Sequence, residues 1–296
     1  MREPTGPGDQ SPHLNPTSVA STDEVTVAVH DLGDAAGEPV LLAHATGFHG
    51  MVWAPLARRL TGYHAVAPDL RGHGDSPPPV GRGLDWNGFV DDLLAVVDAR
   101  DLAPLVAVGH SKGGASLLLA EQRRPGTFRA LYVYEPVVMP DDGAVPGPDR
   151  QSNPLAEGAR KRRERFDSFD AAYDNFRAKP TFAALDPEAL HAYVDHGFAL
   201  EPDGSVRLKC RPEVEAQTYE MAAHHNAFRR LGEVRCPVTV ATGSTSEFGP
   251  AAFAPAIVAQ LPQGRLLTFD DLGHFGPLED PARIAASILE TFADVD

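Results

Sequence analysis

The chain has 296 residues, 43 % hydrophobic and 23 % charged, which is ordinary for a globular protein and enough for one large core or a core with an insertion. A net charge of −15 excludes the basic surface that nucleic acid or an anionic membrane requires, and without an apolar run of about 18 residues a membrane-spanning helix is excluded too. The two cysteines, Cys210 and Cys236, are too few for a disulfide framework and are read as buried thiols, which, with no basic-then-apolar leader, gives a cytoplasmic expectation.

Residues 1–22 are rich in Pro, Gly, Ser, Thr and Asp. They bury too little apolar surface to offset ordering entropy and are expected to form a disordered leader. From residue 25 apolar strand-like runs follow one another at 25–29, 40–44, 65–68, 105–109, 130–134, 238–242 and 265–269. Helix-like patterns lie between most of them, including 53–60, 86–100 and 115–123. Short apolar strands separated by amphipathic helices predict an α/β protein whose sheet is mostly parallel and covered on both faces.

The alternation stops between residues 139 and 234. A Pro/Gly/Asp loop opens this interval, and helical patterns follow at 157–168, 170–179, 187–197 and 212–231. Starts such as Asp186-Pro187-Glu188 carry helix N-terminal signals. The expected organisation is a core of residues 23–138 and 235–296, with 139–234 inserted as a helical cap between the sixth and seventh sheet strands.

The most informative motif is Gly109-His110-Ser111-Lys112-Gly113. An apolar strand precedes it and a small-residue helix follows. Strand, glycine-flanked serine and helix together read as a nucleophile elbow, a sharp turn that lifts the hydroxyl above the sheet at a helix N-terminus. Three further segments stand in order along the chain: His44-Ala45-Thr46-Gly47-Phe48, Asp69-Leu70-Arg71-Gly72-His73-Gly74-Asp75-Ser76, and Gly273-His274-Phe275-Gly276-Pro277.

On these four segments the chain, over roughly residues 25–293, resembles the α/β-hydrolase superfamily. The resemblance implies an eight-stranded, mostly parallel sheet flanked by helices, with a cap over the active site. It implies Ser111 as nucleophile and His274, on the loop after the last strand, as general base. The oxyanion donors would be the backbone N–H groups of Lys112 and Thr46, with Ala45 standing where the family often has glycine. The acid usually lies after the seventh strand, but the corresponding position here is Ser246. Glu247, one residue on, is placed first and Glu135, at the end of the sixth strand, second; Asp270 and Asp271 lie too near His274 along the chain. Lys112 stands where the family is more often apolar, and its ammonium is expected in solvent or on a carboxylate such as Glu135, ahead of a role in binding a substrate carboxylate.

The expected function is hydrolysis of a small-molecule ester, lactone or thioester through an acyl-enzyme, in a monomer or homodimer. The same residues would serve a C–C bond hydrolase or a cofactor-free perhydrolase. A ligand-binding module with a degenerate triad, or a biosynthetic lyase or cyclase, is the alternative of another class. With no metal cluster, dinucleotide fingerprint or phosphate loop, no cofactor is expected. Residues 69–76 read as a scaffold loop, and Arg160-Lys161-Arg162-Arg163-Glu164-Arg165 as a solvated helix face ahead of a docking site for an acidic partner. Phe48, Trp53, Phe169, Phe176, Tyr219 and His224 are candidate pocket residues.

Overall fold

Runs of Val, Leu and Ala only five or six residues long favour extended backbone, and burial on both faces removes the polar alternation of a half-exposed strand. The computed structural model, which describes residues 16–140, 153–245, 249–293 and 295, follows that logic. The strands are β1 (Thr17–Ala20), β2 (Thr26–Gly33), β3 (Glu38–Ala43), β4 (Tyr63–Pro68), β5 (Leu105–His110), β6 (Phe128–Tyr134), β7 (Arg165–Phe166), β8 (Phe198–Leu200), β9 (Val206–Leu208), β10 (Val238–Gly243) and β11 (Gly264–Phe269). The helices are α1 (Ala54–Ala57), α2 (Trp86–Ala99), α3 (Lys112–Arg123), α4 (Pro154–Arg160), α5 (Phe169–Arg177), α6 (Pro180–Ala183), α7 (Pro187–Gly197), α8 (Pro212–Glu220), α9 (Ala254–Gln260), α10 (Gly276–Glu279) and α11 (Pro281–Phe292).

Eight strands form one sheet in the order β1-β2-β4-β3-β5-β6-β10-β11. From β4 to β11 all pairings are parallel, and β2 runs antiparallel to both of its neighbours. Alternate residues of β3 feed different cores. Val40 and Leu42 pack with Leu56 of α1 and Ile284 and Ile288 of α11, whereas Leu41 and Ala43 pack with Phe89 of α2 and Leu117 of α3. The two-residue period of a strand therefore builds both layers from one short run.

The strand order reverses direction between β3 and β5. After β3 the chain moves to one side, to β4, and then returns to the other, to β5. The carboxyl ends of β3 and β5 consequently face a crevice that no crossover covers, the usual position for a ligand site in an open α/β sheet. Thr46 follows β3 and Ser111 follows β5.

Two expectations need correction. Part of the expected leader is ordered: Thr17–Ala20 pairs antiparallel with β2 as an edge strand, with Val19 packed into the core. Behind it, Ser21 donates to Asp92 (2.7 Å), and Thr22 and Asp23 accept from Arg71 at 2.9 Å each. Long-range partners thus order a segment whose composition alone does not. Residues 1–15 lie outside those described.

The inserted segment is also not all helical. Besides α4 to α8 it carries a three-stranded antiparallel sheet, β7-β9-β8. The β8–β9 turn is closed by Asp203, whose carboxylate accepts from the Ser205 N–H (3.0 Å) and hydroxyl (2.6 Å). Strands of two or three residues are too short to show a period. The expected 212–231 helix ends at Glu220, and His225 captures the Ala227 N–H at 3.2 Å. The basic run is no helix face, since α4 stops at Arg160 and the chain turns into β7. Arg160 pairs with Glu213 and Glu220 at 2.8 Å each, Arg162 with Glu215, and Arg165 with Glu201. Those carboxylates neutralise the cluster that a docking site would need.

The scaffold loop after β4 rests on a buried ion pair. Arg71 and Asp92 are 2 % and 0 % exposed, and Arg71 Nη2 donates to Asp92 Oδ1 at 2.8 Å. Arg71 Nε and its own backbone N–H both donate to Oδ2, at 3.0 and 2.9 Å. Removing Asp92 takes three hydrogen bonds from the Arg71 side chain and backbone and leaves the buried guanidinium with the partly exposed Asp23 as its carboxylate partner. Asp92→Ala is expected to cost about 3–5 kcal/mol in urea unfolding; a loss below about 1 kcal/mol would mean that solvent reaches Arg71 and that the pair is not a keystone.

Candidate active site

The elbow is built by close backbone approach. A Cβ on Gly113 would stand 2.1 Å from the Ala43 carbonyl oxygen, and one on Gly109 would stand 2.6 Å from Gly114 Cα. Only glycine lets α3 sit this tightly on β3 and β5. Between them Ser111 adopts φ 53°, ψ −113°, a conformation that costs a non-glycine residue about 1–3 kcal/mol and persists only where surroundings over-determine it. They do so here. Ser111 N donates to Tyr134 O (2.9 Å), and Ser111 O accepts from Ala115 N (3.1 Å) and Val137 N (3.2 Å). Ser111 is 6 % exposed.

His274 follows β11 on the loop leading to α10, with its side chain 29 % exposed. Its Nδ1 lies 2.6 Å from Oε2 of Glu135. A carboxylate can only accept, so the proton sits on Nδ1 and the Nε2 lone pair is left available. Glu135 is fully buried at the end of β6, with φ 43°. Its Oε1 accepts from the Gly243 N–H (2.9 Å) and the Thr242 hydroxyl (3.1 Å), both at the end of β10. The structure thus gives His274 the carboxylate placed second on sequence grounds. Glu247, placed first, lies outside the described residues.

The loop around His274 is anchored on several sides. Tyr134 Oη donates to the Gly273 carbonyl at 2.8 Å, and Glu279 accepts from the N–H groups of Gly273 (2.8 Å) and Phe275 (3.1 Å). His110 Nε2 lies 2.8 Å from the His274 carbonyl oxygen. The sequence pattern assigns no role to His110, Tyr134 or Thr242, because their partners lie far away along the chain.

Lys112 opens α3, so its backbone N–H is one of the first-turn donors without an acceptor inside the helix. Thr46, half-buried, stands across the crevice after β3. His44 pins that loop: its Nδ1 donates to Ala45 O (2.8 Å) while Nε2 accepts from Leu70 N (3.0 Å). The Lys112 side chain corrects the expectation made for it. It reaches neither solvent nor Glu135 but is 1 % exposed. Its Nζ lies 3.4 Å from each ring nitrogen of His73 and 4.4 Å from the centre of the Phe89 ring. Burial lowers the amine from its ordinary 10.5 to about 7, with Cys210, Asp92 and Asp69 opposing the shift.

Of the six candidate pocket aromatics and histidines, Phe48 packs against Phe275, the chain neighbour of His274, at 5.4 Å. It also packs on Tyr193 (5.1 Å) and Phe182 (6.2 Å), joining core to inserted segment. Trp53 and Phe176 are core, Tyr219 packs on Ala156, Ala159 and Ala216, Phe169 is half-buried, and His224 is exposed. A groove of about 1130 Å³ between β2, α1 and α7 contains none of Ser111, Glu135 and His274. Among the described residues, His30, Asp69 and Asp75 bring metal-ligand atoms together. Their oxygens are already engaged: Asp69 accepts from Gly50 N (2.6 Å), Asp75 N (2.8 Å) and His30 (3.0 Å), and Asp75 pairs with Lys209 at 2.7 Å. Both cysteines are buried and free.

A family model described as "Alpha/beta hydrolase family" matches residues 40–287. The chain is 27 % identical to Lipase LipV of Mycobacterium tuberculosis over 89 % of its length and 97 % of that protein. It is 35 % identical to a non-heme chloroperoxidase of Burkholderia pyrrocinia, over 86 % of this chain and 92 % of the other. Among solved structures, E-2-(acetamidomethylene)succinate hydrolase superposes with a TM-score of 0.78 at 19 % identity, over 94 % of this chain and 98 % of that one. No helix among the described residues is long and apolar enough to cross a membrane.

The Lys112 geometry carries a stability prediction. An amine at about 7 in the fold and 10.5 in the unfolded chain binds its proton less readily when native. Its penalty is complete below pH 7 and is relieved as pH rises from 7 to 10.5. Lys112→Met is therefore expected to raise stability by a few kcal/mol, on the order of 3, at pH 6.5 and by clearly less at pH 9.5. Equal gains at the two pH values in urea unfolding would show that the amine is not desolvated.

Proposed function

Because the chain belongs to the alpha/beta hydrolase family, we propose that it is a serine hydrolase cleaving small-molecule esters, lactones or thioesters through an acyl-enzyme on Ser111. The observation that carries this reading is the 2.6 Å contact between His274 Nδ1 and Glu135, which leaves Nε2 ready to accept a proton. His274 is the general base, Glu135 orients it, and the N–H groups of Thr46 and Lys112 are the oxyanion donors.

In the first half-reaction Ser111 Oγ attacks the substrate carbonyl while His274 Nε2 takes its proton. The negative charge that develops on the carbonyl oxygen meets the two backbone donors and the N-terminal end of α3. Collapse of the tetrahedral intermediate expels the alcohol or thiol, which receives the proton from His274. Water then attacks the acyl carbonyl and gives a proton to His274; as the second tetrahedral intermediate collapses, the bond to Ser111 Oγ breaks, His274 returns the proton to that oxygen, and the acid leaves. Glu135 stays ionised throughout and stabilises the imidazolium; two further donors, from Thr242 and Gly243, hold its negative charge in a buried site.

Glu135 is preferred to Glu247 as the acid because its carboxylate already meets His274. The C–C hydrolase alternative loses its one supporting residue, since the Lys112 amine is buried away from any substrate anion. Peracid formation on the same serine keeps support from the chloroperoxidase relative.

Incubation with a fluorophosphonate is expected to add one adduct by intact mass, absent in Ser111→Ala. Glu135→Gln is expected to lower kcat on an activated ester by about 1,000- to 10,000-fold, and Glu247→Gln to change it by less than about 3-fold. The opposite ranking would return the acid to the loop after β10.

A further inference from the structure

The elbow carries a second buried side chain that the acyl-transfer scheme leaves unused. His110 is the last residue of β5 and the covalent neighbour of Ser111. Its ring is buried, and its Nε2 lies 2.8 Å from the backbone carbonyl oxygen of His274. The ring centre stands 5.0 Å from that of His274, and His110 meets Phe275 and Tyr134 edge-on at 5.8 and 6.0 Å. These rings confine the imidazole to one orientation.

We propose that His110 is a positioning residue that fixes the backbone of the base to the nucleophile's own turn through the Nε2–H to His274 carbonyl hydrogen bond. The proposal rests on His274 being the base. His274 is then held at two points, its ring by Glu135 and its backbone by His110. The remaining anchors of the loop, Tyr134 on the Gly273 carbonyl and Glu279 on the Gly273 and Phe275 N–H groups, leave the His274 carbonyl untouched. His110 alone among them belongs to the turn that carries Ser111, so its bond sets the distance between the two reacting residues.

The chemistry of the bond fixes its protonation. A carbonyl oxygen can only accept, so the His110 proton is on Nε2. Burial first, and the neighbouring His274 second, hold His110 well below its ordinary value, so the ring is a neutral donor. Neutrality matters, because a second cation 5.0 Å away would oppose the imidazolium that His274 must become. An imidazole donates here without adding charge, which lysine or arginine in its place would not do.

The test compares donors with non-donors at one position. His110→Leu and His110→Met remove the N–H; His110→Gln places an amide N–H at the same reach as Nε2. With thermal unfolding confirming folded protein, a non-donor is expected to slow both fluorophosphonate labelling of Ser111 and ester turnover by about 10- to 100-fold, with KM changed by less than about 3-fold. His110→Gln is expected to recover activity to within about 5-fold of the unmodified protein. Met serves as the non-donor if Leu does not fold. A folded non-donor at full rate, or a Gln variant as slow as the non-donors, overturns the positioning role, since packing alone would not separate Gln from Met. His274→Ala separates this result from failure of the underlying reading: if it retains labelling and turnover, His274 is not the base, whatever His110 does.

Discussion

The structure turns on the contact between α3 and the ends of β3 and β5. Gly113 lies so near the Ala43 carbonyl that any side chain there would collide with backbone, and that approach sets where the first turn of α3 points. It places the Lys112 N–H in the first turn of α3 and holds Ser111 in a conformation unfavourable to a non-glycine residue. Strain of about 1–3 kcal/mol is small beside the burial of two helices on the sheet. The three backbone hydrogen bonds to Ser111 keep the turn from relaxing. The strained turn at Ser111 and the placement of the first turn of α3 are thus consequences of one packing constraint.

The carboxylate follows from sheet neighbourhood. β6 lies between β5 and β10, so its carboxyl end stands beside Ser111 on one side and Gly243 on the other. A glutamate there enters a fully buried position, where an ionised group needs several donors. His274, Thr242 and Gly243 supply them. The left-handed backbone at Glu135 is the local distortion that brings its side chain round to β10 and the base loop.

How much of this was legible differs by scale. Seven of the eight strands of the large sheet were readable because each is a short run rich in apolar residues. The elbow was readable because close backbone approach demands glycine at fixed offsets. The acid was not, because the choice between Glu135 and Glu247 depends on which strand ends are neighbours and how far a side chain reaches. β1 and the small sheet of the inserted segment were missed for a related reason: both are too short for periodicity, and contacts outside the strands, long-range ones through Arg71 and Asp92 beside β1 and a local Asp203–Ser205 turn in the small sheet, hold them. Lys112 was misjudged because it is a charged residue in a buried place, where composition points the wrong way.

That error is itself informative. Local rules are broken at Ser111 by backbone, at Glu135 by backbone and by charge burial, and at Lys112 by a buried amine whose nearest partners are an imidazole and an aromatic ring. All three lie at the carboxyl ends of two adjacent strands. A sequence selected for stability alone would place an apolar side chain at Lys112, and a residue other than glutamate on the left-handed backbone after β6. Departures of this kind lower stability wherever they occur; three of them meet at these neighbouring strand ends, and others stand elsewhere, in the left-handed backbone of Asp23, Glu24 and Asp101 and the buried charges of Arg71 and Asp92. The protein as a whole carries a large negative charge, which repels anions only over roughly a Debye length of 8–10 Å. At the crevice the local field is set instead by the N-terminus of α3, whose first-turn N–H groups have no acceptor inside the helix.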